Sequence, residues 1–484
     1  MDILERFSPR QILITGGSLL VASIFASLLT NEPLLLAVPL AFALACQLII
    51  NFKPVFFLLL LVTPGALEFH FDSGFSTDIP TEPLEIILMF TFIFYVALRR
   101  ENINKSFLYH PISLALYAHL AWILIATIYS QDLVISLKYV LAKTWYVTVF
   151  YFIGGHIITN EKQFRIAFWC LFLPTVGIVI NTLIKHATYN FAFSEVNKSM
   201  WPIFRNHVNY AVFLALMFPL LFKAANWYSR YSWQRILINS SKILIGTAIY
   251  FSYTRSSWIS LAVALICFFL IRWHLLMWGV TAGIIAAIAF VVFMLHDNTY
   301  LKYAPDFKKT IYHQDFNQHI EATATLEDVS SAERIYRWLA GVKMIEAKPG
   351  IGFGPAQFYD NYQQYAVNKF TTYISRNEEQ STIHNYYLQV TVEQGFPGLL
   401  FWMILIITIL NTGQRAYITA KKEKKSYVLF VMLSLITILI NITLSDLIEA
   451  DKIGTIFFLF AAIIVNIHLS LSDKNSLPPS VDTQ

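Results

Sequence analysis

The sequence predicts an all-α polytopic membrane protein with about 12–14 transmembrane helices and one long, partly helical loop on the outer side. Three observations predict it. Hydrophobic residues make up 56% of the 484 positions and charged residues only 13%, against about 25% charged in a soluble domain. The charges cluster, leaving apolar runs between them. One long polar interruption, 297–396, separates two sets of such runs.

The candidate spans are 12–29, 34–50, 55–67, 84–98, 111–129, 134–157, 164–184, 207–224, 240–253, 256–272, 274–296, 397–412, 426–445 and 452–470. The runs at 55–67 and 240–253 are short for a bilayer, so they are tilted, re-entrant or extended by polar neighbours. Met1 to Gln11 is too polar and too mixed in charge for a cleaved signal, and the first apolar run is expected to stay as a helix. Cys46, Cys170 and Cys267 all lie in apolar runs, which argues against a disulfide framework and against a thiolate metal site. The net charge of +5 belongs to basic loops and forms no nucleic-acid patch.

Those loops set the orientation. Arg6 and Arg10, Arg99 and Arg100, Lys162 and Arg165, Arg230 and Arg235, and the run from Arg415 to Lys425 alternate with acidic or sparse loops at Glu32, Glu68–Glu82, Asp132 and Asp446–Asp451. Lysine and arginine favour the cytoplasmic side. Fourteen alternating spans then leave both termini cytoplasmic and 297–396 outside. The organisation expected is N-terminal helices over 1–200, core helices over 201–296, the loop domain over 297–396, C-terminal helices over 397–470 and a disordered tail over 471–484.

Within the loop, Ala332 to Ala347 reads as an amphipathic helix with Ile335, Trp338, Leu339 and Val342 on its apolar face,. Lys348-Pro349-Gly350 stops it. Pro355 to Phe370 reads as a second helix, opened by proline. Ser381 or Thr382 caps a third, which places His384 in its first turn, and Gly395 ends it before Pro397 begins the next span.

The polar chemistry gathers at the outer face. Arg255, between two apolar runs, is either a snorkelling arginine in a tight turn or an anion clamp. Arg334 and Arg337 project from neighbouring positions of one helix, either as a solvated face paired with Glu333 or as a second arm of that clamp. A guanidinium fork suits a diphosphate. His384, near a helix N-terminus, is a candidate general base, because a neutral imidazole accepts a proton near neutral pH. Glu393 falls about half a turn from His384 around a helix, so its expected role is capping or packing. The glycine run Gly350–Gly354 lacks the lysine of a phosphate loop and reads as a turn. Phe358, Tyr362 and Tyr365 suit core packing or sugar stacking. Glu68, His70, Asp72, Asp78 and Glu82 crowd one loop, read as a solvated acidic loop with a divalent cation as the alternative.

These residues resemble the bacterial O-antigen ligase and O-antigen polymerase family. The resemblance covers mainly Trp201 to Gly398. It rests on Arg205-Asn206-His207-Val208-Asn209, on Arg255-Ser256-Ser257-Trp258, on Arg334 with Trp338, on Pro349 to Gly354, and on His384-Asn385 with Leu388, Glu393, Gly395 and Gly398. It implies a GT-C-like glycosyltransferase of the bacterial inner membrane, with 297–396 as its periplasmic loop, that takes a glycan from undecaprenyl diphosphate on the periplasmic face with no metal and no cofactor. Under it, Arg255 and Arg334 hold the diphosphate and His384 is the essential histidine near the acceptor hydroxyl. Arg337, Arg205 and His207 are further substrate-binding candidates. The acceptor is lipid A-core for a ligase or a second lipid-linked oligosaccharide for a polymerase, and the ligase is preferred. A transporter of an anion or a lipid-linked glycan is the rival class; Lys138 and Lys143 are the charged residues within a span that it would use.

Overall fold

Apolar runs of this length must form helices, because a backbone in hydrocarbon has to satisfy its hydrogen bonds within the segment. The computed structural model describes residues 9–30, 38–39, 48, 51–70, 76–98, 104–297, 299, 329–367 and 382–475. It is helical nearly throughout, and ten of the described helices are long and apolar enough to cross a membrane. The expected span at 34–50 and most of 297–328 lie outside the described residues.

The chain forms two compact units. The first comprises 1–103 with 162–174. It holds α1 (Pro9–Thr30), α2 (Lys53–Val62), β1 (Leu67–His70), β2 (Ser76–Ile79) and α3 (Thr81–Leu98). Phe52, just before α2, packs edge-on against Phe92 and Tyr95 of α3, its ring centroid 6.2 and 5.3 Å from theirs. The expected acidic loop is partly an antiparallel hairpin in which Glu68 faces Asp78. Asp72 lies outside the described residues.

The second unit comprises 104–161 with 175–484. Its helices are α4 (Lys105–Leu108), α5 (Pro111–Ile128), α6 (Leu133–Ile157), α8 (Val196–Met200), α9 (His207–Ala224), α10 (Trp233–Phe251), α11 (Arg255–Arg272), α12 (Leu276–Leu295), α13 (Val329–Ala347), α14 (Phe358–Asn361), α15 (Tyr386–Thr419), α16 (Lys422–Asn441) and α17 (Asp451–Asn475). Helix α7 (Glu161–Thr188) passes from one unit to the other. Side chains cap several starts. His110 accepts from Ile112 N–H before Pro111, Asp132 from Val134 and Ile135, and Asn206 from Asn209. Each such cap is worth about 1 kcal/mol. The packed centre is α9 against α16, α16 against α11, α5 against α15, and α17 against α15 and α6.

Three expected boundaries shift. Helix α17 runs to Asn475, past the expected start of the tail, and 476–484 lie outside the described residues. Of the helix expected over Pro355–Phe370, the described residues to Val367 form only α14 and a 3-10 turn at Tyr362–Tyr365; Ala356 is left-handed at φ 59°, so no helix starts at Pro355. The cap of α15 is Asn385, not Ser381 or Thr382. Asn385 is the residue in extended conformation with its side chain on Leu388 N–H at 3.0 Å.

Candidate active site

That cap moves His384 out of the first turn of α15 to the residue before the cap. His384 is left-handed at φ 55°, a conformation that costs on the order of 1 kcal/mol for a side chain of this type. The neighbouring helix holds it there. Trp338 Nε1 of α13 donates to the Ile383 carbonyl at 3.0 Å, and Arg337 Nη1 donates to the Thr382 carbonyl at 3.3 Å. Arg337 Nη1 also meets His384 Nε2 at 2.8 Å, while its Nη2 lies 3.3 Å from Glu333 Oε2. Burial first, then the charges of Arg334 and Arg337, push the His384 imidazole down to about 3.

Arg337 is therefore not on a solvated face; it is 4% exposed. The face of α13 turned inward is Glu333, Tyr336, Arg337, Ala340 and Met344, rather than the Ile335, Trp338, Leu339 and Val342 stripe, whose members are half-buried. A charged pair one turn apart can be buried together because each partner satisfies the other. Arg334 is half-buried and close enough for its charge to act on His384.

The remaining arginines form a second group. Arg255 is the first residue of α11, and Thr254 before it donates to the His207 carbonyl at 3.2 Å. His207 places its backbone N–H and its ring Nδ1 on Asn197 Oδ1, both at 2.9 Å. Tyr253 bonds the Phe191 carbonyl at 2.6 Å. The Arg205–His207 motif and the Arg255 turn are thus fastened as neighbours.

Asp446, in the loop between α16 and α17, joins the two groups. Burial raises its carboxyl, while contact with the Thr382 side chain and the positive charge of Arg205 oppose the rise. The same loop receives the start of α15, whose Tyr386 N–H donates to the Ile442 and Ser445 carbonyls at 2.9 and 3.1 Å. Lys452 at the start of α17 donates to the Ile203 carbonyl and lies 4.4 Å from the Phe204 ring centre. Sequence reasoning used Asp446–Asp451 only as an orientation signal. An acidic loop facing a basic motif was the clue that could have placed it at the site.

The glycine run serves the backbone. At Gly395 (φ 69°, ψ −178°) α15 kinks, and Pro397 supplies no N–H, so the carbonyls before the kink lose helical partners. Phe353 N–H takes Val392 O at 3.1 Å, Gly354 N–H takes Glu393 O at 2.8 Å, and Trp122 Nε1 takes Gln394 O at 2.8 Å. Phe396 N–H returns to Pro349 O at 2.9 Å. A Cβ at Gly352 would stand 2.5–2.6 Å from the Glu393–Gln394 backbone, so only glycine allows the approach. Glu393, as expected, does not meet the histidine. Its carboxylate accepts from Ala356 N–H at 2.9 Å and Phe358 N–H at 3.3 Å. Phe358, Tyr362 and Phe353 are buried in the small core under α13.

Lys143 is 3% exposed and paired with Glu449 at 2.7 Å, with Tyr139 donating to the same carboxylate at 2.9 Å; Lys138 is exposed. Among the described residues no group of three or more His, Cys, Asp or Glu is arranged to hold a metal ion.

Ten apolar spans, almost no sheet and a polar cluster at the helix ends define the class: an all-α polytopic membrane protein. Residues 241–403 match the family model described as O-antigen ligase, which supports assigning the chain to that family. The matched segment contains Arg255, Arg334, Arg337 and His384, while Arg205, His207 and Asp446 fall outside it. No curated protein matches the chain.

Proposed function

We propose that the protein is a membrane glycosyltransferase that moves a glycan from undecaprenyl diphosphate to an acceptor hydroxyl on the periplasmic face, an O-antigen ligase acting on lipid A-core. The observation that carries this reading is the convergence of Arg334, Arg337 and His384 at the start of α15, inside the segment matching the ligase family.

A glycosyl diphosphate is already activated. The acceptor oxygen forms its bond to the anomeric carbon as the bond to the diphosphate oxygen breaks, inverting that carbon, and the hydroxyl proton passes to solvent. Charge accumulates on the departing diphosphate, where Arg255 and Arg334 are suited to stabilise it. Arg205 and His207 border the same charge. The lipid chain keeps the donor at the membrane face, where an acceptor anchored in the same bilayer reaches it. No metal or cofactor is called on. A transporter would need charged groups free to act within the spans, and Lys143 is committed to Glu449.

The test is transfer by purified protein in detergent or liposomes, with an undecaprenyl-diphosphate glycan as donor and lipid A-core as acceptor, with and without EDTA. Product should persist in EDTA. It should fall at least about 100-fold in His384→Ala and Arg255→Ala while expression is retained. Product formed only with a second lipid-linked glycan would make the enzyme a polymerase. Near-normal transfer by either variant would sink the assignment, and loss of product in EDTA would turn attention to Glu68–Glu82.

A further inference from the structure

Glu333, Arg337 and His384 form a buried line at the site that binding a diphosphate does not by itself explain. Arg337 reaches His384 Nε2 at 2.8 Å with Nη1 and lies 3.3 Å from Glu333 Oε2 with Nη2. Arginine has five donors, no acceptor and a proton it does not lose. The direction of the short contact is thereby fixed: Nη1–H donates, and Nε2 is the nitrogen with the lone pair. Turning the ring over would set a C–H against the guanidinium donors, so the orientation is fixed as well. A neutral imidazole with its lone pair on Nε2 carries its hydrogen on Nδ1. Neutrality follows from burial between two guanidinium charges. Among the described residues no group accepts a hydrogen bond from Nδ1.

A general base needs a lone pair that is not in use, and the one lone pair of His384 is taken. We infer that Glu333 and Arg337 are positioning residues that hold His384 as the Nδ1–H tautomer, so that His384 donates a hydrogen bond to an anionic phosphoryl oxygen of the lipid diphosphate instead of accepting the acceptor's proton. This inference rests on the glycosyl-transfer reading and narrows it. As the bond from the anomeric carbon to the diphosphate oxygen breaks, its electron pair stays with that oxygen. A directed N–H stabilises the charge where it develops, and a bond to an ionised acceptor is the stronger kind. The acceptor oxygen bonds the anomeric carbon on the face opposite the diphosphate, which leaves as its anion, and the hydroxyl proton passes to solvent. Glu333 neutralises Arg337 and keeps that guanidinium on the histidine rather than on substrate.

The experiment reads the tautomer directly. Full-length protein labelled with ¹³C,¹⁵N-histidine is studied by NMR, with a His384→Gln sample identifying the His384 signals and farnesyl diphosphate as the probe. Hydrogen on Nδ1, moving downfield as farnesyl diphosphate is added, is the expected result. Hydrogen on Nε2 in the wild type, or an Nδ1–H signal unmoved by the diphosphate, overturns the inference. In Glu333→Gln/Arg337→Gln the two tautomers should mix, and kcat should fall about 100-fold with the donor KM changed by less than about twofold. Arg337→Lys, which retains a charged donor, should restore both. Loss of folding in the double variant leaves the wild-type spectrum to decide. A wild-type Nδ1–H that responds to the diphosphate in protein that transfers no glycan would refute glycosyl transfer and leave the tautomer assignment standing.

Discussion

The two ends of one short helical stretch, His384 and Gly395, are fixed by different means. At Gly395 the kink is closed by main-chain hydrogen bonds and an indole, and the Val392, Glu393 and Gln394 carbonyls are all answered. At His384 the backbone is held by Trp338 and Arg337, and the imidazole is left with a donor that no described residue uses. The glycine-rich segment, which superficially suggests a phosphate loop, presents its Phe353 and Gly354 amides to carbonyls of the same chain. The charged segment retains capacity for a ligand. A run of glycines near arginines is thus not itself an anion site; what matters is whether its N–H groups are already committed.

The contrast can be broken from either end. The largest effect is expected at the kink: Gly395→Val puts a branched side chain into a left-handed position against the Gly350 carbonyl. It should cost more than about 4 kcal/mol, read as loss of monodisperse protein in size-exclusion chromatography. Lys143→Met should come next. It leaves the Glu449 carboxylate, in the same loop as Asp446, with Tyr139 but no cation; the cost should be about 3 kcal/mol, read as a lowered thermal midpoint in detergent, and Lys143→Met/Glu449→Gln should recover most of it. Asn385→Ala removes one cap beside His384 and should cost about 1 kcal/mol, with transfer impaired more than stability if the cap aims the histidine. A midpoint equal to wild type would show that Asn385 does not carry the cap.

A further effect concerns pH. The folded His384 value of about 3 lies below the ordinary 6.5, so between those values the unfolded chain binds more protons than the folded one. Its contribution to stability is complete above about pH 6.5 and is lost as pH falls toward 3. Arg334 and Arg337 on α13 repel the added proton, and Asp446 reaches the same segment through Thr382. Wild type should therefore lose more of its thermal midpoint between pH 7 and pH 5 than His384→Gln. Equal losses would show that His384 titrates normally.

The membrane fold was legible because apolar runs and basic loops report directly on the bilayer. The meeting of His384 with Arg334 was suggested only by the family resemblance, since no local spacing links two residues on different helices. Other features depend on competition that spacing does not show. Ser381, Thr382 and Asn385 are all able to cap, and only the extended backbone at Asn385 decides among them. The buried Arg337 looks like a surface residue until Glu333 and His384 are seen to satisfy it. Asp446 meets Thr382 across some sixty residues of chain, a contact invisible to any local pattern. The hairpin at Leu67–Ile79 was missed because its charged alternation reads as a loop.

The bond from Arg337 to His384 has a consequence in acid. A carboxylate in Arg337's place would surrender or gain its grip with the acidity of the surroundings, but a guanidinium does neither. A site anchored by a permanently charged partner keeps its hydrogen-bond polarity as the acidity around it changes, down to the point at which the imidazole itself takes a proton,.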